Sequence, residues 1–580
     1  MTTRLLRCSE LCSALVIGLV QALASGCSND VASARRQSGG TASGGTSGQI
    51  SGSGGTSGAS ASGSPLLPAR IRRLTNAEYD ASVSALLGTS RQPSVEFSFP
   101  PDARQGPANA PAGAAFTVND AQRVDPVLAD KLDAAAQALV AEARQSGKLA
   151  EVAPCSDPAG AGEECAKTFL RSFGAKAYRR ALSDEEVSGL TSGAGSAYHV
   201  GADGYSYEDG IDVLTRVLLQ SPGFLYVTEL GPGDGSANLE LTGDEIASQL
   251  SYLLTSGPPD EALIQEAALG ALAVPEGREA EAQRLLATPA GRARVVRIVQ
   301  EWLGIDEVAR REKASSVYPE FAGVSQAMEN ESYAFIDEVL NRSTGTLTEL
   351  LTADWTIVEE PLASLYGVTW AGAGQRTSLA SVARRGILNQ GAFLSVFASN
   401  NASHPVFRGV ALMRRIACLD TPDPGALGIV VSVPPADASK TTRERFEVHT
   451  TDPACAGCHA TIDAFGFSFE NFDGIGKLRT AENGLPVDTH VTLGAGSDID
   501  GAYADSTELL AALARSDSVK SCLARQIFRG LSGRSNESVA EAENAFVELW
   551  KAAPVEQGDR LLDALVAYVK SPTFIQRRTP

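Results

Sequence analysis

The sequence is poor in aromatic residues, short of basic charge and free of the familiar catalytic signatures. Phe, Trp and Tyr make up 6% of the 580 residues, which argues against a carbohydrate platform of stacked rings. Lys and Arg number 49 against 69 Asp and Glu, a formal net charge of -20. Such a surface repels phosphate backbones, so nucleic acid is excluded as a partner and the acidity reads as solubility. No GxSxG, HExxH, Walker or GxGxxG pattern occurs, and no acidic pair stands out as catalytic. Beyond the N-terminus, no stretch approaches the roughly 20 apolar residues that a spanning helix needs.

The N-terminus itself reads as a processing signal. Arg4 and Arg7 precede a mostly apolar run from Leu11 to Leu23, and Ala24, Ser25 and Gly26 lead into Cys27. The pattern resembles a bacterial lipoprotein signal, with Cys27 as the lipidated residue and the lipid as the membrane anchor. Ser28 after it points to the outer membrane, on its periplasmic face or the cell surface. An ordinary secretory signal with a coincidental Cys is the alternative. Ser38 to Ser64 is almost wholly Gly, Ser, Thr and Ala, which predicts a disordered tether across residues 28–66.

Sustained period-two alternation is scarce. Phe465, Phe467 and Phe469 alternate once, and Leu427 to Val433 is a short β-branched run. Helix signals dominate. Thr75, Ser183 and Thr242 each follow a Leu and precede a Glu by three residues (Glu78, Glu186 and Glu245), which is the capping-box spacing. Apolar residues then recur at helical spacing, as in Ile246–Leu250–Leu253–Leu254 and Val519–Leu523–Ile527–Leu531. The expectation is a mainly α, multi-segment helical protein with irregular Gly/Pro-rich connections and little sheet. At this length several segments are expected. The boundaries drawn are 1–27 signal, 28–66 tether, 67–150, 151–235 and 236–380 helical segments, 381–490 haem-bearing segment and 491–580 C-terminal helical segment.

The sharpest chemical signal is Cys455-Ala456-Gly457-Cys458-His459, a CxxCH sequence. In covalent haem attachment two thiols at this spacing add to the porphyrin vinyl groups, and the adjacent imidazole binds the iron. At this chain's Cys and His content a chance match is on the order of one in a thousand. The expected cofactor is one covalent haem c, tethered by Cys455 and Cys458 and ligated by His459. A redox or structural CxxC disulfide and a zinc site are the alternatives. No thioredoxin-like pattern surrounds the motif, and no second CxxC or HxxxH lies nearby. If haem takes two thiols, Cys155, Cys165, Cys418 and Cys522 remain as an even set of candidate disulfide cysteines. Pairing 155 with 165 and 418 with 522 is one of three connectivities.

For the sixth iron position no Met follows the motif. His449 and Met413 are the leading candidates, with His404 and His490 behind them. Arg443 and Arg445 are candidate contacts for haem propionates, since guanidinium matches carboxylate; a solvated helix face is the plainer reading. Phe465, Phe467, Phe469 and Phe472 could wall a porphyrin or form a small aromatic core. Glu470 and Asp473 are too few carboxylates for a calcium site.

Further marks run along the chain: Arg72-Arg73-Leu74-Thr75-Asn76-Ala77-Glu78-Tyr79, Ala177-Tyr178-Arg179-Arg180-Ala181-Leu182, Ser221-Pro222-Gly223-Phe224-Leu225-Tyr226, Arg408-Gly409, Glu470-Asn471-Phe472-Asp473 and Ser571-Pro572-Thr573-Phe574. With CxxCH they make the chain resemble a group of large exported bacterial proteins built of consecutive domains of unknown function, one bearing CxxCH. Members often carry an added cytochrome c domain, which this sequence lacks. The resemblance implies haem c and a cell-envelope location, and supplies no substrate. The functional expectation is monohaem electron transfer or haem-based oxidoreduction with a periplasmic or surface redox partner. The alternative is a haem-free envelope protein that binds polysaccharide or another surface component.

Overall fold

The computed structural model describes residues 66–105, 116–119, 123–233, 235–420, 425, 433–451, 453–534, 539–552 and 560–579. Cys27, the expected signal and nearly all of the expected tether lie outside these residues, as does most of the run 427–433. Helices dominate, joined by irregular connections and a few strands of two to four residues.

The helix starts follow from local chemistry. Thr75, Ser183 and Thr242 each accept a hydrogen bond from the amide three residues on, and Glu78, Glu186 and Glu245 reach back to the cap amide. Ser206 and Thr441 form the same reciprocal cap, with Asp209 and Glu444 closing it. The helix Asn76–Leu87 stops at Gly88, whose φ of 67° suits a left-handed cap.

Two apolar cores result. The first gathers residues from Tyr79 to Leu225, with Leu214, Leu218, Leu219 and Phe224 fully enclosed. The second is larger and runs from Leu241 to Ile575, joined by Leu67 and Phe116. The stripes of Gly243–Thr255, Asp517–Ser532 and Leu561–Lys570 all face this second core. Between the cores, Leu74, Val227 and Tyr252 pack together, and the Tyr252 hydroxyl meets Ser82 Oγ at 2.8 Å.

The small sheets tie distant parts of the chain. Gln576–Arg578 is the middle strand of three, parallel to Leu67–Pro68 and antiparallel to Asn238–Glu240. Arg70–Arg73 runs antiparallel to Tyr226–Glu229, with Ile71 opposite Thr228. At this junction Glu229 is fully enclosed and meets Arg70 at 2.7 Å, Arg534 at 3.1 Å and Arg577 at 2.6 Å. Burial alone would raise its pKa, but the three guanidinium groups hold it well below the ordinary value. A related local form appears twice: a helix, a Ser-Pro turn and a strand at Ser221–Glu229, and again at Ser571–Arg578.

Candidate functional site

The helix Pro453–Phe467 carries Cys455, Cys458, His459 and Asp463. Their spacing of three, four and eight residues from Cys455 puts all four on one face. A second helix, Pro405–Ala411, packs against it at very short range. The approach depends on two glycines. A Cβ on Gly409 would run into the carbonyl of Ile462, and one on Gly466 into that of Pro405. Ile462, Asp463, Ala464, Phe465 and Phe467 are buried, so the helix is anchored by its C-terminal half.

Cys455 and Cys458 are half-buried and bonded to no other cysteine. The other four cysteines among the described residues form two disulfides, Cys155–Cys165 and Cys418–Cys522. His459 is 18% exposed, and its Nδ1 lies 2.9 Å from Asp463 Oδ1. The Asp463 side chain is 2% exposed, and its second oxygen has no hydrogen-bond partner. This carboxylate, four residues after His459 on the same helix face, is the group that sequence reasoning missed. The His-x-x-x-Asp spacing was the available signal.

His449 reaches the same spot from the short helix Val448–Thr451, its ring centroid 4.4 Å from that of His459. Phe446 presents its edge to His449 at 5.5 Å and to His404 at 5.3 Å. Two of the chain's five histidines therefore flank the Phe446 ring, and the third, His459, meets His449. His404 acts as a cap: its Nδ1 accepts from the Phe407 amide at 3.2 Å, and its ring stacks on Phe407 at 3.6 Å. Burial first, and then the charge of Arg408, push its pKa down to about 4.

The remaining sequence candidates fall as follows. Met413 lies in the π-helical turn Leu412–Ile416, 2% exposed within the second core. His490 is 79% exposed and pairs with Asp488. Arg443 donates to the carbonyls of Asp488 and His490 and lies 5.0 Å over Phe467. Arg445 donates to the carbonyls of Pro434 and Pro435 and to Thr442. Phe465, Phe467, Phe469 and Phe472 are all buried in the second core. Asp473 closes its own turn by accepting from the Ile475 and Lys477 amides. Glu470 is enclosed beside Arg479, Arg408 and Ser403. Burial raises its carboxyl pKa even though both guanidinium groups oppose the rise.

The donor set fits covalent haem on the proximal side. Two unpaired thiols and an imidazole share a helix face, and the Nδ1 contact with Asp463 leaves Nε2 of His459 for a metal. With metal–imidazole bonds of about 2 Å, two rings on opposite sides of one ion have centroids roughly 6 Å apart. His449 sits closer than that, so it reaches the far face of a haem only if its segment is carried round the edge.

Four family models match successive stretches, and each is described as a protein of unknown function. They are PSD3 (DUF1587) over residues 72–145, PSD5 (DUF1595) over 165–229, PSD4 (DUF1592) over 241–368 and PSCyt3 (DUF1588) over 384–482. No curated protein and no solved structure matches the chain. The chain thus carries four consecutive domains of unknown function, and the CxxCH helix lies within the last of them.

Proposed function

We propose that this chain is an exported, lipid-anchored protein carrying one covalent haem c. Cys455 and Cys458 would hold the group through thioether bonds, and His459 would ligate its iron. The observation that carries the reading is the shared helix face, where two cysteines without partners stand beside a histidine held by a buried carboxylate. The name of the family model over this stretch, PSCyt3, hints at the same chemistry.

When bound, haem c supplies one-electron transfer or, with an open sixth position, peroxide or dioxygen chemistry. Asp463 fixes the orientation and tautomer of His459 and makes the imidazole a stronger donor, which favours the oxidised metal. Arg443 and Arg445 would offer guanidinium groups to the propionates, in exchange for the backbone carbonyls they now meet. Met413 and His449 are the candidates for the sixth position. Export through a signal ending at Cys27, attachment by lipid to the outer membrane, and exchange with a periplasmic or surface redox partner complete the reading.

The test is a pyridine haemochrome spectrum of the chain made together with cytochrome c maturation factors. The expected result is a thioether-type α band at one haem per chain, lost in Cys455→Ser/Cys458→Ser. A colourless product from the unaltered chain sinks the proposal.

A further inference from the structure

We propose that His449, His459 and Asp463 form a binding site for a divalent first-row transition metal ion, independent of the cysteines. This goes beyond the haem reading and stands without it. One ligand atom from each of the three residues lies within 4.8 Å of the other two. Two imidazoles bound side by side to one ion at about 2 Å have centroids roughly 4.5–5 Å apart, and the observed 4.4 Å separation matches that arrangement.

The carboxylate is the second observation. The Asp463 side chain is 98% buried, and only one of its oxygens is engaged, by His459. A buried carboxylate with a spare acceptor is costly unless a cation or donor meets it. An ion seated between the Nδ1 of His459 and this carboxylate, in place of their 2.9 Å contact and with His449 beside it, supplies that partner.

Two imidazoles and one carboxylate are borderline donors that suit zinc, iron(II) and cobalt(II), and they leave a coordination position for water. Calcium and magnesium, which prefer oxygen ligands throughout, are disfavoured. Because His459 belongs to both sites, an ion seated before the thioethers form holds the imidazole that haem needs. Metal and haem therefore compete for the same newly exported chain.

The test uses full-length chain made without haem maturation. Cobalt(II) chloride is titrated while visible absorbance is followed, and zinc chloride is titrated by calorimetry. One equivalent of either ion is expected to bind, with cobalt giving d–d bands of low-symmetry coordination. His449→Ala, a half-buried position whose loss leaves the core intact, should weaken binding at least tenfold, as should Asp463→Asn. Cys455→Ser/Cys458→Ser, which can accept no haem, should still bind the ion. Absence of stoichiometric binding, unchanged affinity in His449→Ala, or loss of binding in the cysteine pair each overturns the proposal. The haemochrome experiment uses different material, so the two readings fail separately.

Discussion

Arg408 offers the most demanding check on how the CxxCH helix is held. Its side chain is fully enclosed and knots three segments together. One terminal nitrogen donates to the carbonyls of Phe469 and Phe472 at 3.1 and 2.9 Å, and the other to those of Leu394 and Asp473. Glu470 lies 3.7 Å away. Truncation to Ala strands four buried acceptors at about 1–3 kcal/mol each. Against this, burial already pushes the guanidinium pKa down to about 10, so removing the charge returns about 3 kcal/mol. The net cost is about 5 kcal/mol, at the upper end for single substitutions. The assay is urea unfolding followed by tryptophan fluorescence. Trp302 and Trp550 are buried in the second core and report on it directly. Arg408→Lys, which keeps charge but loses the fork, should fall between the two. A shift below about 1 kcal/mol for Arg408→Ala would refute the view that this guanidinium holds the segments together.

Three further outcomes are expected. Replacing Cys418 and Cys522 by Ser opens a loop of sequence separation 104 and should cost about 4–5 kcal/mol; a reduced wild-type chain of unchanged stability in the same urea assay would contradict this. His404 stays neutral in the fold down to about pH 4, whereas the unfolded chain takes up its proton near pH 6.5. Its contribution is therefore complete above pH 6.5 and fades as pH falls toward 4, by on the order of 3 kcal/mol, and a pH series on His404→Gln should show a shallower slope. Gly409→Ala forces two helix backbones apart and should lower stability by about 1–3 kcal/mol, while Gly457→Ala, which meets open space, should pack without a clash.

Helices were the most legible part of the sequence because their signals are local. A hydroxyl followed three residues later by a carboxylate is enough to start a helix, and Thr75, Ser183 and Thr242 each do so. The apolar stripes likewise found the core, because a periodicity of 3.6 leaves a face only one place to go. What stayed hidden depends on distance through space. Nothing near Glu229 in the sequence announces Arg534 or Arg577 as its partners. The pairing of Leu67–Pro68 with Gln576–Arg578 is equally invisible, since strands of two or three residues carry no usable alternation. At the candidate site, CxxCH is legible because the chemistry is contiguous. Asp463 went unread because its role requires knowing that the segment is helical, and His404 because its capping role requires the helix after it. The four Phe after the motif were open to two readings by sequence, and burial in the second core favours the aromatic-core reading.

The two halves of the histidine cluster are held with unequal firmness, and this decides how the site responds to a ligand. His459 and Asp463 sit on a helix whose C-terminal half is buried and whose glycine contacts lock it to Pro405–Ala411. Arg408 fixes the chain directly after that helix. His449 comes from Val448–Thr451, a four-residue turn that buries none of its residues. Segments with few buried contacts open at low free-energy cost, whereas packed helices open only with the core. A planar macrocycle bound at His459 would therefore move His449 and leave Asp463 where it is. A small ion would need only a slight adjustment of the same turn, because the two ring centroids already stand 4.4 Å apart.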